Sequence, residues 1–100
     1  MAVIIQLEWP GLTLDQFDEA RRRIRWEEEP AKGSIVQAQG WDNGTFKAAD
    51  IWESEEDWNN FLQNRILPAV AGLNIPGQPT TRVFDAYGLL IPGLRKSTGT

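Results

Sequence analysis

Four side chains near the middle of this sequence have the types and spacing of a small ligand site: Gln37, Gln39, Asp50 and Trp52. If their two segments pair as antiparallel strands, these side chains share one face, because residues two apart in a strand point to the same side. Amides and a carboxylate among aromatic rings are typical of small-molecule sites. Burial would also raise the pKa of Asp50, which makes it a candidate general base. The structural alternative is a hydrogen bond between Gln37 and Asp50 across the strands.

A predicted helix downstream supplies the second group of candidates. Trp58, Phe61 and Arg65 recur at intervals of three and four residues, which places them on one helix face. The two aromatic rings would line the same site. Arg65 could bind a substrate carboxylate or phenolate, or stabilise a developing oxyanion. The alternative is that its stem packs on the sheet while its guanidinium pairs with an acid at the rim.

The composition removes most of the usual catalytic groups. The chain contains no His and no Cys, so imidazole bases, thiol nucleophiles, thiolate metal sites and disulfides are excluded. Glu27, Glu28 and Glu29 resemble a metal-binding run, but adjacent side chains on a helix diverge by about 100° and form no cage. We expect no metal and no cofactor.

The charge distribution argues against nucleic acid and anionic membranes as partners. The net charge is −4 and the isoelectric point is about 4.7. The arginines of the first predicted helix have acidic partners at i to i+4 spacing, typical of a solvated face: Asp18 with Arg22, Glu19 with Arg23, and Arg25 with Glu29. No run approaches the roughly 18 apolar residues of a membrane span, and the N-terminus lacks the pattern of a signal peptide. We therefore expect a cytoplasmic protein.

The first half of the chain is predicted to form a strand and then a helix. Residues 2–8 alternate between apolar and mixed positions, as a strand does. After Pro10-Gly11, Thr13 and Gln16 have the spacing of a capping box, which marks the start of a helix. The helix face that repeats every 3.6 residues, and that we expect to face the core, consists of Leu14, Phe17, Ala20 or Arg21, and Ile24.

A hairpin is predicted next. Asn43-Gly44 is the strongest short-range signal for a two-residue type I′ turn, because both central residues of that turn have positive φ. Closing the turn between Asp42 and Thr45 sets the register of the two strands. The pairs on one face would then be Trp41 with Phe46, Gln39 with Ala48, Gln37 with Asp50, and Ile35 with Trp52. Trp41 lies near this turn and Trp26 near the end of the first helix, so either could cover a pocket mouth or a dimer seam, and packing is the favoured interpretation for both.

The remaining elements are a second helix and a last strand. Ser54 and Asp57 have the spacing of another capping box. Pro68 should either kink the helix or start a new short segment. The last strand is predicted over Thr80 to Tyr87. A single domain over 1–88 and a C-terminal tail over 89–100, with its final residues from Arg95 to Thr100 mobile, complete the organisation.

The order β-α-β-β-α-β predicts an α+β protein with the ferredoxin-like arrangement. Two helices cover one face of a four-stranded sheet and leave the other face without a partner. A homodimer that packs sheet on sheet would cover that face with a second copy of the same surface.

Three stretches of the sequence resemble the dimeric α+β barrel superfamily, and within it the small proteins related to antibiotic biosynthesis monooxygenases. They are the strand end from Asp50 to Glu56, the helix from Trp58 to Val70, and Pro10-Gly11-x-Thr13. The resemblance covers roughly residues 2–88. It implies a homodimer with a pocket between sheet and helices in each subunit, and Trp52 matches a pocket-lining Trp. Some relatives oxidise polycyclic aromatic or quinol-like substrates without metal or flavin, and others bind or break down haem.

The sequence departs from that family at two positions. Relatives often carry a His on the second strand, where this chain has Gln37, and the haem-degrading branch uses a His where this chain has Phe61 and Leu62. An axial imidazole for haem is therefore excluded. The resemblance implies a cofactor-independent monooxygenase for a small aromatic or quinol-like ligand. In that reaction Asp50 or a bound water would be the base, and Arg65 would stabilise the anion. The alternatives are a non-catalytic homodimer that binds a small molecule or serves a partner enzyme, and a structural dimer with a filled core.

Overall fold

The computed structural model describes residues 1–93 and has the predicted order of strands and helices. The elements are β1 (Val3–Pro10), α1 (Leu14–Ile24), β2 (Ser34–Asp42), β3 (Thr45–Trp52), α2 (Glu55–Phe61), a π-helical segment (Leu62–Ile66), α3 (Leu67–Val70) and β4 (Thr80–Asp85). The last strand is thus two residues shorter than predicted. Most of the predicted tail, including Arg95 to Thr100, lies outside the described residues.

The four strands form one antiparallel sheet in the order β2-β3-β1-β4. β1 lies in the middle and pairs with both β3 and β4. This is the ferredoxin-like arrangement, so the predicted fold class is confirmed. The helices pack on the sheet face that carries Val3, Ile5, Leu7 and Trp9 of β1, and this layer between sheet and helices is the hydrophobic core.

The hairpin register is confirmed over most of its length. Asn43 and Gly44 have φ of 50° and 81°, as the predicted turn requires, and Gln37 lies opposite Asp50. The predicted pairing of Ile35 with Trp52 is wrong. A β-bulge at the start of β2 shifts the register, so Ser34 lies opposite Trp52 and the side chain of Ile35 is partly exposed.

The first helix begins where predicted but presents a different leucine to the core. The Thr13 hydroxyl accepts a hydrogen bond from the Gln16 N–H, and the Gln16 side chain accepts one from the Thr13 N–H, which confirms the capping box. Leu14 is 59% exposed, contrary to the prediction, and Leu12 is buried instead. Leu12 and Phe17 flank the cap at the two positions of a hydrophobic staple, so the residue before the cap turns inward.

The ion pairs of α1 are largely those expected. Glu19 pairs with Arg23, and Arg25 with Glu29. The predicted pair of Asp18 with Arg22 is wrong, because Arg22 binds Glu19 as well. Arg25 is not helical: it ends α1 in the left-handed region, with φ of 57°. The three consecutive glutamates 27–29 therefore lie in a turn and not on the helix.

The second helix is interrupted by a wide turn just before Pro68. The N–H of Leu67 donates to the carbonyl of Leu62, a π-type bond that spans five residues. Pro68 lacks an N–H, and its ring would clash with the carbonyl four residues earlier in a regular α-helix. The π turn relieves that conflict, and α3 then starts with Pro68 in its first turn. Both predicted outcomes, a distortion and a new short segment, are therefore present.

The start of α2 makes one of the two predicted capping bonds. The Asp57 N–H donates to the Ser54 hydroxyl at 3.1 Å. The Asp57 side chain lies against Gly33, which has a φ of 86°. A Cβ atom added to Gly33 would be only 2.6 Å from the Cβ of Asp57.

This contact predicts a stability difference between two glycines. Gly33→Ala should destabilise the protein by about 2–3 kcal/mol, since it adds a clash to the strain of positive φ. Gly72→Ala is the matched control: its φ is 82°, but open space surrounds its would-be Cβ, so we expect about 1 kcal/mol. Urea unfolding of both variants measures the difference. Equal losses would show that the contact with Asp57 is unimportant.

Candidate functional site

A cavity of about 70 Å³ lies between the sheet and the helices. Its walls are almost entirely apolar and aromatic, and they come from β1, α1, the turn after α1, the hairpin, α2 and the segments that follow α2. The lining residues are Leu7, Trp9, Leu12, Phe17, Ala20, Arg21, Ile24, Trp26, Gln37, Gln39, Phe46, Ala48, Asp50, Trp58, Phe61, Ile66 and Val70. The cavity therefore lies where the resemblance places a pocket.

Asp50 is the acid of this cavity, and it is 5% exposed. Its Oδ2 accepts a hydrogen bond from the Trp52 indole N–H at 3.3 Å. Its Oδ1 is buried and has no hydrogen-bond partner among residues 1–93. One carboxylate oxygen is thus left free inside an apolar chamber, which is costly for the charged form.

Burial raises the pKa of Asp50 from 3.8 to about 6. The main cause is loss of hydration, which disfavours the ionised carboxylate. Trp52, Gln37 and the Ala38 backbone act in the opposite direction by favouring the charged form, although only Trp52 is within good hydrogen-bond geometry. A carboxyl with this pKa is ionised at neutral pH and can still hold a proton, as a general base must.

The two glutamines lie beside Asp50 as the register predicts. Gln37 is its cross-strand neighbour, and Gln39 follows two residues away on the same face. Both line the cavity and are partly buried. Their amides supply donors and acceptors next to the carboxyl, but their contact with a ligand stays a prediction.

The predicted aromatic residues occupy two layers. Trp58 and Phe61 line the cavity, and both are buried. Trp52 is fully buried behind them and packs against both rings, at 5.7 Å from Trp58 and 5.1 Å from Phe61. Trp52 is therefore a support for the wall and for Asp50, and it is not part of the cavity surface.

Arg65 lies away from the cavity. Its Nη2 donates to the carbonyl of Ile24 at 2.6 Å, and its guanidinium lies 5.3 Å from the centre of the Phe61 ring. Carbonyls at the end of a helix lack partners within the helix, so this arginine caps α1. The predicted contact with a substrate anion in the cavity does not match this geometry, and the predicted acidic partner is replaced by a backbone carbonyl.

Two further residues of the wall, Arg21 and Trp26, are absent from the predicted site residues. Arg21 was predicted as an alternative to Ala20 on the core-facing side of α1, and it lines the cavity and binds Glu27 and the Trp26 ring. A signal was present, because Arg21 lies four residues after Phe17 and thus on the same face of α1. Trp26 was expected to pack, and it does so as part of the cavity wall.

Within residues 1–93, no group of acidic side chains has the arrangement of a metal site. The same part of the chain contains no helix that is long and apolar enough to cross a bilayer.

Fold and site together define a class of protein. It is a small ferredoxin-like α+β domain with an aromatic-walled cavity between its sheet and its helices, and the described residues of the sheet side supply one buried carboxyl and two amides. The amides of such a site can orient a flat apolar molecule by hydrogen bonds, and its carboxyl can accept a proton.

Solved structures with this fold include oxygenases. A variant of SnoaB, a cofactor-independent oxygenase from Streptomyces nogalater, is 13% identical with a TM-score of 0.65, over 89% of this chain and 96% of that one. The monooxygenase ActVA-Orf6 of Streptomyces coelicolor, in complex with Nanaomycin D, is 16% identical with a TM-score of 0.60, over 92% and 93%. A candidate antibiotic biosynthesis monooxygenase from Deinococcus radiodurans is 12% identical with a TM-score of 0.59, over 95% and 100%.

The sequence itself matches no protein-family model and no curated protein. The structural likeness, at 12–16% identity, establishes a shared fold. The chain shares the ferredoxin-like α+β fold of these solved structures, which is the fold that the sequence predicted.

Proposed function

We propose that this protein is a cofactor-independent oxygenase that acts on a small, electron-rich aromatic compound of the phenol or quinol type. The observation that carries the proposal is the buried carboxyl of Asp50, with a free oxygen and a pKa of about 6, in an aromatic-walled cavity. The oxygenases that share the fold support the same reaction class. Arg65 has no part in the proposal, because it caps α1.

The reaction requires little from the protein beyond a general base and a site that excludes water. With an anthrone as representative substrate, Asp50 removes one proton from the methylene carbon between the rings, and the resulting anion reduces O₂ by one electron. The carbon radical and superoxide combine, and the proton on Asp50 completes a hydroperoxide. Loss of water then gives the carbonyl, so CH₂ and O₂ become C=O and H₂O. The substrate supplies all the electrons, and the apolar walls keep water from the intermediates.

The size of the cavity limits how a substrate can bind. An engineered apolar cavity of about 150 Å³ holds one benzene ring, and the cavity here is about half that volume. Entry of an aromatic compound therefore needs a movement of the wall, and a polycyclic substrate needs a larger one.

A homodimer is part of the proposal, with the cytoplasm as its location. The sheet face opposite the helices carries Ile4, Val36, Ile51 and Phe84, and Phe84 is 43% exposed. Burial of these side chains in a symmetric sheet-on-sheet contact would remove an apolar patch from water. Sedimentation equilibrium at micromolar concentration should give twice the 11.3 kDa chain mass, and a monomer would contradict this part.

The functional test is oxygen uptake by the purified protein with a panel of anthrones and hydroquinones. We expect uptake above the uncatalysed rate for at least one compound, with unchanged activity after treatment with a metal chelator. Absence of uptake for the whole panel would contradict the proposal.

The small volume of the cavity favours one alternative function, a non-catalytic homodimer that binds a small molecule. Quenching of the fluorescence of Trp58 and Trp26 would report binding of the panel compounds. Binding without oxygen uptake would support that alternative.

A further inference from the structure

A guanidinium faces the cavity from the helix side. Arg21 is the cation among the described lining residues, and it projects from α1, whereas Asp50 lies on the sheet. Its side chain is 34% exposed, so it lies at the boundary between the cavity and solvent. A ligand that contacts both Asp50 and Arg21 would therefore extend across the cavity, from the sheet to the edge that faces solvent.

Arg21 already holds a carboxylate and an aromatic ring. Its Nε donates to Oε1 of Glu27 at 2.7 Å, and its guanidinium carbon lies 5.8 Å from the centre of the Trp26 ring. The first is a charge-assisted hydrogen bond and the second a cation–π contact, so this guanidinium recognises both a carboxylate and an aromatic ring. The consecutive residues Trp26 and Glu27 thus contact the same guanidinium, one through its indole ring and the other through its carboxylate.

The Trp26 ring also fills the space that an aromatic ligand would need. It makes edge-to-face contacts with Phe17 at 6.1 Å and with Phe61 at 6.4 Å, and both of those rings line the cavity. A planar ring in its place could make the same two contacts. Withdrawal of the indole would enlarge a cavity that is now too small for one ring.

The segment that carries Trp26 and Glu27 is suited to such an exchange. It follows the left-handed cap at Arg25, precedes Gly33 with its φ of 86°, and contains turns but neither helix nor strand. The Glu27 side chain is 64% exposed. Ion pairs exposed to this degree add little stability, so a ligand carboxylate can replace Glu27 at low cost.

We propose that the ligand is an aromatic carboxylate, and that it takes the place of the Trp26 ring and the Glu27 carboxylate on Arg21. This inference rests on the proposed function only in taking the cavity as the ligand site. It adds the acidic substituent of the substrate, the residue that selects it, and the segment that opens the chamber.

The test compares the binding of 2-naphthoate and of its uncharged analogue 2-naphthamide by titration calorimetry at about pH 7.5, where the free acid is ionised. We expect the wild-type protein to bind the carboxylate at least about 10-fold more tightly, the typical effect of one charge-assisted hydrogen bond. Arg21→Gln should remove this preference and change the affinity for the amide by less than about 2-fold.

Glu27→Gln provides a test that does not depend on removing Arg21. Because the variant releases Arg21 from its internal partner, 2-naphthoate should bind about 2- to 5-fold more tightly, while 2-naphthamide should be unaffected. Glu28→Gln is the matched control: it makes the same charge change one residue away, and Glu28 forms no ion pair within residues 1–93. It should leave both affinities unchanged.

Equal affinities of the wild-type protein for the two probes would overturn the inference, as would a gain with Glu28→Gln equal to that with Glu27→Gln. Absence of binding for both probes would overturn it too. Oxygen uptake with a neutral anthrone in that case would leave the proposed function standing, so the two failures are distinguishable.

Discussion

Replacing Asp50 with Asn is expected to lower kcat/KM for oxygen uptake by at least about 100-fold, the usual effect of losing a general base. The amide has nearly the same shape as the carboxyl, so the cavity and its apolar walls should persist. The affinity for an inert aromatic ligand should therefore stay within a few-fold of the wild-type value. A variant that keeps more than about a tenth of the activity would show that Asp50 is not the base.

The same residue should control the pH dependence of the reaction. Burial raises the pKa of Asp50 to about 6, and a base works only when it is deprotonated. We expect kcat/KM to rise with pH and to level off above about 6, and the residual activity of Asp50→Asn should lack this step. A profile that is already flat from pH 4 upward would contradict the assignment.

The raised pKa also has a consequence for stability. The folded protein holds the Asp50 proton up to about pH 6, whereas the unfolded chain releases it near 3.8. The native state therefore binds more protons between these values, so the free energy of unfolding falls as pH rises through this window. Asp50→Asn should be more stable than the wild-type protein at pH 8, by about 1–3 kcal/mol, and nearly equal to it below pH 3.8.

Urea unfolding at pH 8 and at pH 3.5 measures this effect. Asp18→Asn is the control, since Asp18 is exposed on α1 and its replacement should show neither the gain in stability nor the loss of activity. A loss of stability at pH 8 for Asp50→Asn would mean that the ionised carboxylate is well satisfied in the fold.

The second large effect concerns Trp52. Its side chain is fully buried and packs against both Trp58 and Phe61. Trp52→Ala should reduce the free energy of unfolding by about 3–5 kcal/mol, through lost burial and the cavity that remains. For a domain whose total stability is about 5–15 kcal/mol, this is a large share.

Trp41→Ala is the matched comparison. Trp41 is 39% exposed, although its indole N–H donates to the Leu12 carbonyl at 3.0 Å, so we expect a loss of only about 1–2 kcal/mol. A third variant, Trp52→Phe, keeps most of the burial but removes the donor to Asp50. It should raise the pKa of Asp50 further, seen as a shift of the kcat/KM profile to higher pH. Equal losses for the two alanine variants would contradict the central position of Trp52.

Local signals in the sequence were sufficient to predict the sheet and the floor of the cavity. The Asn43-Gly44 turn has strict backbone requirements, so it sets which residues of β2 and β3 face each other, and it places Gln37 beside Asp50. The strand period of two then assigns both to the helix-covered face. The cap at Thr13 is equally local, because both of its hydrogen bonds join residues three apart.

Features that depend on packing between elements could not be predicted in this way. The bulge at Ile35 changes which residue of β2 lies opposite Trp52, and nothing within the sequence of β2 signals it. The cap at Thr13 was predicted correctly, but which of its two neighbouring leucines is buried, Leu12 or Leu14, depends on how the chain packs before the helix. Helical spacing placed Arg65 on an inner face, but the carbonyls at the end of α1 attract its guanidinium more directly than an empty cavity does.

The position of Arg21 also depends on packing between elements. Helical spacing left Ala20 and Arg21 as alternatives for one core-facing position, and the ion pair that Arg21 makes is partly exposed. Its contact with Trp26 depends on how the chain turns back after Arg25, which has a left-handed conformation that the sequence did not announce. The volume of the cavity likewise depends on all of its walls at once.

The most direct test of the account is the pKa of Asp50 in the folded protein. A titration of its side-chain carboxyl carbon by NMR, assigned with Asp50→Asn, measures this value without any knowledge of the substrate. We expect a midpoint of about 6, well separated from the ordinary value of 3.8. A midpoint at or below 3.8 would contradict the account, since the carboxyl would then be a solvated or fully hydrogen-bonded group and not a base poised in an apolar chamber.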